Sequence, residues 1–171
     1  KLLGIRLLKT FLDNLVWLGH SGFIFKINDR TVTIDPFETL GVSKSDFILI
    51  THPHWDHLSL TDIKKYIGPK TKIISDQDSA SILKKNNIKN VIPMVVGQKL
   101  VFDNFRIVAL EAYNSEKNLP HNKQNNWLGF KIYDDNVSLI HLGDTGLIPE
   151  MNHYKADILL VPVSGTYVMD S

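Results

Sequence analysis

The chain has 171 residues, 43% of them hydrophobic and 22% charged, which suits one domain over 1–171 with a sizeable core. Its 19 basic and 18 acidic side chains nearly cancel, which excludes a global electrostatic bias toward nucleic acid or acidic membranes. Cysteine is absent, so disulfides and thiolate metal sites are excluded, in keeping with a cytoplasmic location.

In chain order, residues 1–16 hold apolar side chains but no small-residue cleavage pattern, so they do not read as a signal peptide. The missing initiator Met suggests a start further upstream or a removed one. No apolar run reaches the roughly 18 residues that span a bilayer. Residues 22–27, the turn Asn28-Asp29-Arg30 and residues 31–34 predict a β-hairpin. Residues 46–50, Asp-Phe-Ile-Leu-Ile, predict a strand buried on both faces. Ser59, with Asp62 three residues on, predicts a capped helix in which Leu60, Ile63 and Ile67 share a face and Gly68-Pro69 is the stop. A short strand at 72–74 and a helix over 79–86 follow. The pattern is then β from 91 to 112, with turns at Gly97 and Asp103-Asn104.

Residues 129–133, the turn 134–136 and residues 137–142 repeat the hairpin, and 157–161 repeat the apolar strand. Each hairpin ends on an acid, Asp35 and Asp144. This weak internal repeat predicts two related halves. With sheets and helices interleaved in both, the expected architecture is α/β, a four-layer αββα sandwich. In the first half the buried strand is followed by a helix and a strand. In the second half almost nothing follows, so the last helix and strand are expected to be missing, with an apolar sheet face and an unpaired edge beside 157–163.

The chemistry concentrates in Thr51-His52-Pro53-His54-Trp55-Asp56-His57. In an extended chain His52 and His54 point the same way, and Pro53 biases His52 toward that conformation. Asp56 and His57 follow as the chain turns toward the helix and can face a second position. Imidazole and carboxylate suit zinc, iron or manganese. A histidine-rich polar loop is the bland alternative, and three His plus an Asp after a buried strand argue against it.

This HxHxDH cluster resembles the signature of the metallo-β-lactamase superfamily, and the likeness runs from about Leu15 to Ser171. Leu18-Gly19-His20-Ser21 and Ile34-Asp35-Pro36-Phe37 are similar to opening segments of the branch near L-ascorbate-6-phosphate lactonase. Ala112-Tyr113-Asn114, His121-Asn122-Lys123, Leu128-Gly129-Phe130, His141-Leu142-Gly143-Asp144-Thr145-Gly146 and residues 163–170 resemble its later motifs. The resemblance implies the metallo-β-lactamase fold and two divalent ions, zinc first, with manganese or iron as alternatives. His52, His54 and His121 would converge on the first ion, Asp56 and His57 would hold the second, and Asp144 would bridge them. Asp35 would stand behind the ligands and orient one of them.

The superfamily places one more His on a late strand. No residue before Ser171 matches it, since His141 and His153 both precede the 157–163 strand. The first site is therefore expected to fill and the second to be weak or empty. The implied activity is hydrolysis of a small-molecule lactone, ester or phosphoester by metal-bound hydroxide, with Asp56 and Asp144 as proton acceptors. The alternatives are a nuclease of the ribonuclease Z type, disfavoured by the charge balance and the lack of a long insertion, and a non-catalytic metal-binding domain. The partner is expected to be a small molecule, with no membrane and no nucleic acid, and oligomer formation is left open. His20 could orient a ligand but reads first as a satisfied buried histidine, and Trp55 and Trp127 could wall a pocket but read first as core. His141 is a further candidate to support a ligand, and Thr166 and Tyr167 are candidates to touch substrate.

Overall fold

The computed structural model describes residues 2–41, 43–115 and 120–170, with side chains from residue 4 onward. Lys1, Val42, Ser171 and positions 116–119 of the predicted polar stretch lie outside them. The chain divides into two compact units, Lys1–Met94 and Val95–Ser171. No helix among the described residues is long and apolar enough to cross a membrane.

The first unit opens with helix α1 (Leu2–Asp13), an element beyond those predicted. Its Phe11 is buried and meets Phe25 at 5.4 Å between ring centroids. Burying such a ring contributes about 1.5–3 kcal/mol, more than the propensity of one short helix supplies. A six-stranded sheet follows in the order β1-β2-β3-β4-β5-β6. Its strands are β1 (Val16–Gly19), β2 (Gly22–Ile27), β3 (Arg30–Ile34), β4 (Ser45–Ile50), β5 (Ile67–Ser75) and β6 (Val91–Pro93). β1, β2 and β3 run antiparallel, and β3 through β6 run parallel. Phe47, Ile48, Leu49 and Ile50 of β4 are all buried, as a strand covered on both faces requires.

Helix α2 (Leu60–Tyr66) begins at the predicted cap, where Ser59 accepts from the Asp62 N–H. It ends at Tyr66, one residue before Ile67, which begins β5. Gly68 and Pro69 follow the Ile67 cap directly, where a helix stop is expected, and they also belong to β5. They sit in a bulge, because the register jumps from Ser45↔Ile67 to Phe47↔Lys72. A bulge tolerates a residue without an N–H. Helix α3 (Gln77–Lys85) starts two residues earlier than its periodicity predicts, because Asp76 caps the N–H groups of Asp78 and Ser79. One face of the sheet and both helices share a core of Ile24, Ile48, Ile50, Leu58, Ile63, Tyr66, Ile73, Leu83 and Ile88.

The second unit holds a five-stranded sheet in the order β11-β10-β9-β8-β7. The strands are β7 (Lys99–Phe102), β8 (Phe105–Glu111), β9 (Leu128–Tyr133), β10 (Ser138–His141) and β11 (Ile158–Leu160). Only short 3-10 turns, Lys123–Asn125 and Pro149–His153, accompany it among the described residues. The expected interleaving of helices thus holds in the first unit alone. β11 is an edge strand, and Leu159, Val161 and Val163 are exposed.

The repeat is visible as topology. β2 and β3 form an antiparallel pair followed by parallel β4, and β9 and β10 form one followed by parallel β11. The two hairpins lie in different sheets, as expected. Their acids, however, are not at matching positions. Ile34 pairs with Leu49, and the Asp35 N–H donates to the Leu49 carbonyl; His141 pairs with Leu160, and the Leu142 N–H donates to the Leu160 carbonyl. The ladder therefore equates Asp35 with Leu142, and Asp144 lies two residues further along its loop.

Candidate metal centre

The first unit gathers its polar side chains where β3 and β4 end side by side. Asp35 directly follows β3, fully buried, with φ 40° in the left-handed region. Such a conformation is costly for a non-glycine residue and is held here by hydrogen bonds. The Thr51 N–H donates to Asp35 Oδ1 at 2.9 Å, and the Thr51 hydroxyl donates to Oδ2 at 2.6 Å. His57 Nδ1 lies 2.8 Å from the same Oδ2, with both side chains buried. A carboxylate beside Nδ1 selects the Nδ1–H tautomer and leaves the Nε2 lone pair available to an ion.

Thr51 extends this control to His52. Its hydroxyl hydrogen is committed to Asp35, so its oxygen accepts from His52 Nδ1 at 3.0 Å. His52 Nε2 then faces His54 Nδ1 at 3.1 Å. Two nitrogen ligands of one tetrahedral zinc ion with bonds of about 2.0–2.1 Å stand about 3.3 Å apart. The pair is therefore spaced and oriented as two ligands of one ion, and the donor set fits a divalent metal. The His57 ring lies against that of His52, with centroids 3.9 Å apart. The His57 N–H donates to the His54 carbonyl as the chain turns, and Asp56 and His57 form a group with a further histidine.

That histidine is His20. Its side chain is 41% exposed and its Nε2 lies 3.4 Å from Asp56 Oδ2, which corrects the reading of a buried, satisfied histidine. One ligand atom each from His20, Asp56 and His57 lie within 4.8 Å of one another. The signal was the Gly19-His20-Ser21 turn, which joins β1 to β2. Trp55 is likewise not core. It is 73% exposed and meets Phe37 edge-on at 5.2 Å.

The loop after Asp35 is pinned by α2. The Glu38 and Thr39 N–H groups donate to the Asp62 carboxylate, and the Tyr66 hydroxyl donates to Thr39 Oγ1. Burial pushes the Asp62 carboxyl up, but hydrogen bonds from Lys65, Ser59, Thr39 and Glu38 outweigh it and hold Asp62 below the usual carboxylate range.

The second unit brings together His121 and Asp144, with Nε2 and Oδ2 3.5 Å apart. His121 is buried with φ 68°, and Trp127, only partly buried, closes on its ring at 5.4 Å. Trp127 therefore walls His121 rather than filling a core. The Asp144 loop is fixed by its neighbours. The Gly143 N–H donates to His141 Nδ1 at 3.1 Å, so His141 braces the turn that carries Asp144. Thr145 Oγ1 donates to the Tyr113 carbonyl and accepts from the Tyr113 N–H. Asn114 Nδ2 donates to the carbonyls of Pro120 and Tyr167, and the Met169 N–H donates to the Thr145 carbonyl. The motifs at 112–114, 143–146 and 163–170 are thus one hydrogen-bonded assembly. Beside it is a cavity of about 550 Å³ lined by Asn114, Gly146, Leu147, Gly165, Thr166 and Asp170 among others. Thr166 lines this cavity, while Tyr167 does not and is 59% exposed. His153 is exposed on its 3-10 turn.

Comparison with known proteins follows this geometry. A family model described as a Beta-lactamase superfamily domain matches residues 14–171. A protein of Caldivirga maquilingensis called UPF0173 metal-dependent hydrolase is 34% identical over 170 residues, covering 91% of this chain and 71% of the relative. One of the same name from Methanoculleus marisnigri is 33% identical over 165 residues, covering 91% and 70%. Among solved structures, a protein of Parabacteroides distasonis provisionally named a metal-dependent hydrolase superposes with a TM-score of 0.80 at 26% identity, covering 91% of this chain and 71% of that one.

Proposed function

The chain belongs to the metallo-β-lactamase superfamily as a UPF0173 metal-dependent hydrolase, and from that premise we propose that it hydrolyses a small-molecule lactone, ester or phosphoester with two divalent ions. His52, His54 and His121 are the ligands assigned to the first ion, Asp56 and His57 those of the second, and Asp144 the bridge. Zinc is the metal the nitrogen-rich set favours. That the two units act as one domain over 1–171, and that the substrate resembles those of the branch near L-ascorbate-6-phosphate lactonase, are parts of the same proposal.

The observation that carries this reading is the buried Asp35–Thr51 pair, which engages Nδ1 of both His52 and His57 and leaves Nε2 of each as the candidate ligand atom. A carboxylate and a hydroxyl serving two adjacent imidazoles are wasted on a solvated loop and are what metal ligands need. Bound divalent ions supply Lewis acidity and a water acidic enough to attack at neutral pH. The chain's own groups do the rest. Asp35 fixes the tautomers, the Thr145 brace holds Asp144, and Asp56 and Asp144 accept protons at their carboxylate oxygens. The cavity beside Asn114 and Thr166 has the volume of a small-molecule pocket, which supports a compact substrate.

The test is a panel of a lactone, a carboxylic ester and a phosphodiester offered to zinc-loaded protein, before and after chelation. At least one member should be hydrolysed, and the activity should vanish with chelator and return with zinc. Turnover that persists after chelation would refute the metal reading.

A further inference from the structure

We infer that His20 is a direct ligand of the second ion, beside Asp56 and His57. The inference rests on the two-ion reading above and goes beyond its ligand assignment. Neither that assignment nor the resemblance behind it gives His20 a place on an ion, and an imidazole is a donor that zinc, iron and manganese all accept.

Three observations place His20 there. Its Nε2 is 3.4 Å from Asp56 Oδ2, about the separation of two donors on one tetrahedral ion. Its ring meets His57 edge-on at 5.3 Å between centroids, and its ligand atom falls within 4.8 Å of those of both Asp56 and His57. Closing the longest of those gaps takes only a small side-chain rotation, which a 41% exposed imidazole can make.

The backbone has also been shaped for this. His20 has φ 48° and follows Gly19 at φ 100°, two consecutive left-handed residues. A histidine in that region is uncommon and carries a cost, so it points to a role for the side chain it presents. Trp17 Nε1–H donates to the His20 carbonyl at 2.9 Å, and Phe37 packs edge-on against the His20 ring at 5.6 Å. Backbone and ring are therefore both held. A solvated turn histidine has no need of either constraint.

A ligand must be separated from a residue that only orients Asp56. Cobalt(II), added alone as the probe, does this, because a ligated imidazole shows hyperfine-shifted ring N–H and C–H resonances. Wild-type protein and His20→Ala are titrated with cobalt, with bound metal counted by elemental analysis and folding checked by circular dichroism. The inference expects two ions in the wild type and a shifted ring set that His20→Ala removes. Affinity for the second cobalt should fall at least tenfold, with the first unchanged. A second variant, His20→Cys, introduces the chain's only thiol. A thiolate-to-cobalt charge-transfer band there would give independent support.

Two cobalt ions bound equally well by wild type and His20→Ala would overturn the inference and leave the two-ion reading intact. Weaker binding without any shifted His20 resonance would also overturn it, making His20 a positioning residue for Asp56. A wild type that takes up no cobalt would overturn both.

Discussion

Substituting Asp35→Asn probes the network on which metal binding depends. The carboxylate accepts three hydrogen bonds: the Thr51 N–H on Oδ1, and the Thr51 hydroxyl and His57 Nδ1–H on Oδ2. An asparagine keeps one acceptor and gains one donor. If its amide takes the Oδ2 position, His57 must turn its Nδ1 lone pair toward it, which moves the proton to Nε2 and blocks the ligand atom. If it takes the Oδ1 position, it opposes the Thr51 N–H in a fully buried site. Either arrangement leaves a buried polar group poorly matched, at about 1–3 kcal/mol of metal-free stability. Losing the orienting carboxylate should also weaken metal binding about 10–100-fold, or about 1.4–2.7 kcal/mol. The assays are thermal unfolding of the metal-free protein and zinc titration against a competing chelating dye. Thr51→Val is the graded control, since it keeps the Asp35–His57 contact and removes the hydroxyl that serves His52. Zinc affinity within threefold of wild type in Asp35→Asn, with unfolding unchanged, would refute the tautomer argument.

Three further substitutions follow from the same structure. Asp56→Ala should cut hydrolysis by at least about 100-fold while leaving the circular dichroism spectrum intact, because the carboxylate serves proton transfer and metal and not the core. Burial pushes the Asp76 carboxyl up to about 6 from 3.8. The folded state therefore holds that proton more tightly than the unfolded chain. Its contribution is most favourable below pH 3.8, is lost as pH rises to about 6, and is flat above that. The difference amounts to about 3 kcal/mol. Asp76→Asn, which can still cap Asp78 and Ser79 through one oxygen, should raise stability by about 1–3 kcal/mol at pH 7 and flatten the slope between pH 4 and 6 in urea unfolding. In Gly146→Ala the new Cβ would lie 2.8 Å from Asn114 Oδ1, whose amide is fixed by bonds to Pro120 and Tyr167. Thermal unfolding should show a loss of about 1–3 kcal/mol.

What could be read from the residues were the features that local chemistry decides. The HxHxDH spacing, the cap at Ser59, the double-sided burial of β4 and the paired hairpins all follow from patterns a few residues long. Features set by tertiary packing were hidden. α1 has no acidic residue in its first turn and is secured by Phe11 on Phe25. Gly68-Pro69 marks the end of α2, but that the same residues already run in β5 shows only in the ladder with β4, which absorbs the extra residues. His20 and Trp55 read as buried by residue type, yet both stand at the open side of the site, where composition says nothing about direction. The acids ending the two hairpins look equivalent along the sequence. Only the register reveals that Asp35 matches Leu142, with Asp144 two residues further along its loop.

The most direct test of metal-dependent hydrolysis is the turnover rate of one purified sample plotted against its bound metal, counted by elemental analysis during stepwise chelation and zinc readdition. The rate should rise with metal to a plateau near two ions per chain and fall to background in the metal-free protein. A rate that stays constant while the metal is stripped would contradict the account.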